Sequence, residues 1–203
     1  TGFFEFDRVL GGGFIEGSVV LLGGDPGAGK STLLLQALAK IKETKKVLYV
    51  TGEESLEQLA IRARRLGLPA GGLGVATETR AQVIANHISE NSPDVVIIDS
   101  IQVMQIESLD STPGSLSQVR ETAAYFTRLA KTRGVVIVLV GHITKEGGLA
   151  GPKVLEHMID CFMMLESPAA SRFRTLRSLK NRFGAVNELG VFAMTERGMK
   201  EIS

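Results

Sequence analysis

Four short apolar runs, residues 19–22, 47–50, 95–98 and 135–140, contain no charged residue and are rich in valine, leucine and isoleucine. They lack the strict alternation of a half-exposed strand. That pattern predicts strands covered on both faces, as in a parallel sheet with helices above and below. The stretches between them carry helical spacing instead. A short helix is predicted over residues 3–10, stopped by Gly11, Gly12 and Gly13, and another over residues 31–42. Leu56, Leu59, Ala60, Ala63 and Leu66 form one apolar face ahead of Gly67, opened by a Ser55/Gln58 capping box. Thr79 and Gln82 repeat that spacing before Val83, Ile84 and Ile88. A long helix over residues 115–133 turns Leu116, Val119, Ala123, Phe126 and Ala130 inward and is capped by Gly134.

Beyond residue 158 the helical spacing disappears. Residues 159–166, 172–180 and 188–194 read as consecutive strands, joined near Pro168 and near Gly184, which predicts an antiparallel edge. A further short strand is expected near Val75. The expected fold class is α/β: a mostly parallel central sheet flanked by helices, with a C-terminal antiparallel hairpin extension. With no internal repeat or linker, residues 1–203 are expected to be a single domain.

Composition narrows the function more by exclusion than by signal. Apolar content of 44% and charged content of 22% are those of a soluble globular chain, and the net charge of +1 leaves no blanket positive field for nucleic acid. Any such surface is a local patch. The single cysteine, Cys161, lies within an apolar run and reads as a core thiol, so the chain offers neither a zinc nor a disulfide framework. No run approaches membrane-spanning length and the N-terminus does not read as a signal peptide, so a cytoplasmic protein is expected.

The chemistry begins after the first buried strand. Gly24, Asp25, Pro26, Gly27, Ala28, Gly29, Lys30 and Ser31 fit G-x-x-x-x-G-K-[ST], with Thr32 and an apolar helix following. The glycines let successive backbone N–H groups face phosphate oxygens, and the helix that starts there adds its positive end. Lys30 is placed to reach the outer phosphates and the Ser31 hydroxyl to ligate Mg²⁺. A dinucleotide site is excluded, because no G-x-G-x-x-G fits this spacing. The ligand expected is a nucleoside triphosphate.

Other candidates sit at strand ends, where ligands collect in open α/β sheets. Asp99 ends the strand over residues 95–98, placed to hold Mg²⁺ through water beside Ser31. Glu53 and Glu54 follow the second strand, and one of them is expected to orient and deprotonate water. Glu53 is preferred, with Glu54 in support. His142 follows the strand over residues 135–140, where it can sense the γ-phosphate. Arg62, Arg64 and Arg65 read as a solvated flank of their helix, and His87 as a surface histidine. Lys180 and Arg182 share one face of an extended segment, as a solvated edge or as a phosphate-binding pair.

These residues resemble the RecA-like ATPases, most closely the ATPase core of the RadA (Sms) family of bacterial DNA repair proteins. The likeness runs through Thr1-Gly2, Asp7-Arg8-Val9-Leu10-Gly11-Gly12-Gly13, the phosphate loop, Thr51-Gly52-Glu53-Glu54-Ser55 and Asp99-Ser100. It continues through Pro113-Gly114-Ser115 and Ser117-Gln118-Val119-Arg120-Glu121 to Lys180-Asn181-Arg182-Phe183-Gly184, the most discriminating run. The resemblance implies ATP and Mg²⁺ as cofactors and a homo-hexameric, helicase-like motor acting on single-stranded or branched DNA. Lys180 and Arg182 are then expected to act on a neighbouring subunit's nucleotide. Segments 106–114 and 144–153 are expected to face DNA, with Lys145 and Lys153 on phosphates. Family members also carry a four-cysteine zinc finger and a Lon-protease-like domain, neither of which lies in this chain. The rival readings are a KaiC-like regulatory ATPase that binds no DNA and a small-molecule P-loop kinase, the latter disfavoured because no arginine-rich lid stands out.

Overall fold

The computed structural model describes residues 1–69, 71–143, 155–168 and 171–202. Nine strands form one sheet: β1 (Val19–Gly24), β2 (Val47–Thr51), β3 (Leu73–Thr77), β4 (Val95–Asp99), β5 (Val136–His142), β6 (Cys161–Glu166), β7 (Phe173–Asn181), β8 (Leu189–Thr195) and β9 (Gly198–Glu201). Their order is β3-β2-β4-β5-β1-β6-β7-β8-β9. The first six in that order run parallel, and β7, β8 and β9 continue the sheet beyond β6, each antiparallel to the strand before it.

Among the described residues five α-helices cover the sheet: α1 (Phe4–Leu10), α2 (Lys30–Ile41), α3 (Leu56–Arg65), α4 (Ala81–Asn91) and α5 (Leu116–Arg133). Phe6, Val9, Leu33, Leu38 and Leu59 of α1 to α3 pack on Val20, Leu22, Val47, Tyr49, Ile97 and Val138. On the other face Ile84, Ile88, Val119, Ala123 and Phe126 of α4 and α5 pack on Val19, Leu21, Leu48, Val50, Ile98 and Leu139. Neighbouring residues of one strand thus enter opposite cores, which is why the runs are unbroken by polar positions.

Several expectations are met at their ends. Gly11 and Gly134 take left-handed conformations (φ 88° and 67°) past α1 and α5, and Ser55 with Gln58 forms a complete capping box on α3. The Thr79/Gln82 box does not form. Arg80 is the residue before α4, and the Glu78 carboxylate accepts the N–H groups of both Thr79 and Arg80 instead. Leu116 and Leu56 are exposed rather than inward, each standing in the first turn of its helix. The C-terminal extension carries one strand more than expected, because β9 is four residues long and half charged, with no apolar run to announce it. Among the described residues, no helix is long and apolar enough to cross a membrane.

Candidate nucleotide site

The buried strand β1 delivers its glycines to the C-terminal rim of the sheet, and the phosphate loop turns there into α2. Gly29 has φ 103°, and a Cβ at this position would lie 2.4 Å from the Met199 methyl and 2.6 Å from that of Met194. The conformation favours glycine, and any side chain here would also have to displace the two methionine ends. Arg174 of β7 donates from Nε to the Ala28 carbonyl at 2.9 Å, bracing the loop from the antiparallel side. Lys30 is 4% exposed; its Nζ donates to the carbonyls of Gly24 (2.6 Å) and Asp25 (2.9 Å). Burial lowers its pKa to about 8, against the opposing pull of Asp99, Asp25 and Glu53. A buried cation with only carbonyl partners is held ready for an anion.

Asp99 ends β4 at the same rim. Its Oδ2 accepts from Ser31 Oγ at 2.5 Å and also from the Tyr49 hydroxyl. The two oxygens proposed for Mg²⁺, Ser31 Oγ and an Asp99 carboxylate oxygen, are thus neighbours, and the donor set of hydroxyl and carboxylate suits a hard divalent cation. The fit to a Mg²⁺–triphosphate is therefore chemical as well as positional.

The paired glutamates divide. Glu54 meets Arg62 at 2.9 Å, and burial raises its pKa while Arg62 lowers it. Glu53 is half-exposed, with Oε1 3.4 Å from the donating Ser100 Oγ and Oε2 3.9 Å from His142 Nε2. His142 closes β5 directly beside Gly24 of the phosphate loop. Lys30, Ser31, Asp99, Glu53 and His142 therefore converge on one rim, with Gly24, Asp25, Pro26, Gly27, Ala28, Gly29 and Thr32 forming the loop between them.

A cleft of about 350 Å³ opens beside this cluster, lined by Gly29, Lys30, Thr32, Arg62, Thr195 and Glu196 among others. Arg62 and Arg65 of the expected solvated flank both line this cleft, Arg62 with its guanidinium on Glu54. The β8–β9 turn supplies Thr195 and Glu196, which sequence reasoning did not find. Arg174 and Tyr49 were missed as well; their partners lie far away in the chain, where periodicity gives no signal.

Lys180 and Arg182 lie elsewhere. Asn181 pairs with Cys161 at the first residue of β6, beside Val20 near the start of β1, so this run occupies the rim opposite the phosphate loop. Lys180 donates to the Glu156 carbonyl, and Arg182 lies 2.6 Å from Asp160. Both residues stand apart from their own chain's nucleotide site. Lys145 and Lys153 lie outside the described residues. The other expected DNA-facing segment, residues 106–114, is held by Gln118, whose amide bonds Ile106 N and O and the Ser111 carbonyl.

A mostly parallel sheet with its phosphate loop after β1, a strand-end carboxylate on Ser31 and an antiparallel C-terminal edge defines a RecA-like P-loop nucleotide-binding domain. The chain belongs to the AAA domain family, whose model matches residues 5–148. It is 66% identical to the DNA repair protein RadA of Salmonella typhimurium over 203 residues, which is the whole of this chain and 44% of that protein. The chain thus spans less than half the length of this relative. Among solved structures it resembles the RadB recombinase (TM-score 0.75, 20% identity, covering 100% of this chain and 98% of that one). It also resembles a KaiC-like protein from Pyrococcus horikoshii (TM-score 0.78, 21% identity, covering 98% and 95%). These two likenesses speak to fold.

Proposed function

We propose that this domain is the ATP-hydrolysing core of a DNA-dependent motor in recombinational DNA repair. It turns over ATP at the subunit interfaces of a homo-hexameric ring that moves on single-stranded or branched DNA. The observation that carries the reading is Glu53. It stands beside His142 and Ser100 without an Arg or Lys partner among the described residues, while its neighbour Glu54 is occupied by Arg62. A carboxylate held this loosely at the phosphate-loop rim is what water activation needs. The high identity to RadA across the whole chain supplies the link to DNA repair.

In this reading the loop N–H groups and Lys30 bind the triphosphate, Ser31 and Asp99 hold Mg²⁺, and Glu53 takes a proton from water. His142 reports the γ-phosphate to segment 144–153, where Lys145 and Lys153 contact DNA phosphates. When bound, Mg²⁺ neutralises charge on the phosphate oxygens. The test is ATP turnover with and without single-stranded DNA, repeated for Lys145→Ala/Lys153→Ala. Stimulation in the parent domain, lost in the double variant with nucleotide affinity unchanged, is expected. No stimulation by any DNA returns the KaiC-like regulatory reading.

A further inference from the structure

Strand β2 is buried at every position, and the partners of Tyr49 on the two adjacent strands, Val75 and Ile97, are aliphatic. A tyrosine in such a strand is unusual, because its hydroxyl needs a partner where water does not reach. Phenylalanine would fill the same space without that requirement. The Tyr49 side chain is 0% exposed and packs in the core beneath α2, and its hydroxyl donates to one acceptor, Asp99 Oδ2. The strand register explains the meeting. Tyr49 lies opposite Ile97 and Thr51 opposite Asp99 on the adjacent β4, so the ring extends along the sheet face to the carboxylate at the rim.

We propose that Tyr49 is a positioning residue for the metal site: its hydroxyl fixes the plane of the Asp99 carboxylate so that Ser31 Oγ and the carboxylate present to Mg²⁺ together. The inference rests on the metal role given above to Ser31 and Asp99. Two hydroxyls share Oδ2. Ser31 comes from the rim, at the start of α2, and Tyr49 from the buried interior. Removing the interior donor leaves a carboxylate that is 7% exposed held by Ser31 alone, with less to fix its plane. A group that orients a ligand in this way typically changes metal affinity about tenfold or more when it is lost. Loss of a donor also returns charge to the carboxylate, which acts in the opposite direction, so the direction of the change is diagnostic.

The test is Mn²⁺ affinity, read by electron paramagnetic resonance at saturating ADP, for the parent domain, Tyr49→Phe, Asp99→Asn and the double variant. Phenylalanine keeps the buried ring, and Tyr125→Phe, on α5, controls for loss of a tyrosine as such. Tyr49→Phe is expected to weaken Mn²⁺ binding about tenfold and leave metal-free ADP binding unchanged, with no further weakening in the Asp99→Asn background. Unchanged or tighter Mn²⁺ binding in Tyr49→Phe, with Asp99→Asn impaired, overturns the proposal. Equal losses of metal and metal-free ADP affinity overturn it too, by making Tyr49 a general support of the fold. If Asp99→Asn itself leaves Mn²⁺ affinity intact, the metal role of Asp99 fails and the Tyr49 role fails with it.

Discussion

Arg182 meets Asp160 at 2.6 Å, and the carboxylate that holds it is completely buried. Lys131 of α5 reaches the other oxygen at 2.8 Å, and Val19 donates its N–H to that same oxygen. The carboxylate is therefore supplied with two cations, both about half exposed. Losing either one leaves it paired, so Arg182→Ala or Lys131→Ala alone should cost about 1 kcal/mol or less. Losing both strands a buried charge, and the double variant should lose about 3–5 kcal/mol. Urea unfolding of the four proteins measures this, and simple additivity would refute it. The arrangement leaves Arg182 free to be given up without unfolding the domain.

Lys30 makes the unliganded domain sensitive to alkaline pH. Its pKa in the folded state is about 8, against an ordinary 10.5, because burial disfavours the charged form. Between those values the unfolded chain binds more protons than the folded one, so stability should rise with pH across the window from about 8 to 10.5. The rise is at most about 3 kcal/mol. Phosphates favour the ammonium form, so ATP affinity should fall as pH climbs through the same range. Lys30→Met should abolish the difference in unfolding slope, stabilise the empty domain at neutral pH and weaken ATP binding. A parent and variant with parallel stability profiles from pH 7 to 10.5 would contradict the assignment.

The two glutamates should separate in kinetics as they do in space. Glu53→Gln should bind ATP normally and lose turnover by roughly 10²- to 10⁴-fold, the usual contribution of a positioned base. Glu54→Gln should retain most of its turnover, because its carboxylate is engaged by Arg62. Arg62→Ala should disturb nucleotide affinity more than turnover, since Arg62 lines the cleft and its carboxylate partner is Glu54 rather than Glu53. Single-turnover hydrolysis with radiolabelled ATP distinguishes binding from chemistry. Loss of turnover in Glu54→Gln with retention in Glu53→Gln reverses the roles.

The parallel sheet and the phosphate loop were legible because local pattern and global fold agree. Runs such as residues 135–140 are apolar at every position because each strand feeds two cores. Ser55 and Gln58 announced α3 because both partners of a cap lie within four residues. Thr79 and Gln82 show the same letters without the cap, since Glu78 captures the backbone first. What stayed hidden depends on distant pairs. Tyr49 reads as one more core aromatic until Asp99 appears 50 positions away, and Arg174 braces Ala28 across 146. That Arg62 also meets Glu54 and lines the cleft was hidden, because helical periodicity identifies the apolar face and says nothing of what the polar face meets.

The position of Lys180 and Arg182 sets up the last expectation. They occupy the rim opposite their own phosphate loop, so neither can serve the nucleotide that loop binds. Arg182 is half-exposed and held by a carboxylate that retains Lys131 when the guanidinium leaves. We propose that a cation presented this way acts on a site brought by another copy of the chain. In comparable phosphoryl-transfer systems a cation supplied in trans contributes roughly 10³- to 10⁵-fold. Turnover per subunit should therefore rise with protein concentration. Arg182→Ala should keep its ATP affinity, because its own loop is intact, yet be nearly inactive at every concentration. Glu53→Gln should be inactive for the opposite reason, with intact cations and no base. Mixing the two should restore part of the activity, since some interfaces then join an intact Glu53 site to an intact Arg182. Native mass spectrometry establishes that mixed assemblies are present. Turnover that ignores concentration, with no recovery in a sample shown to be mixed, would confine Arg182 to its bond with Asp160.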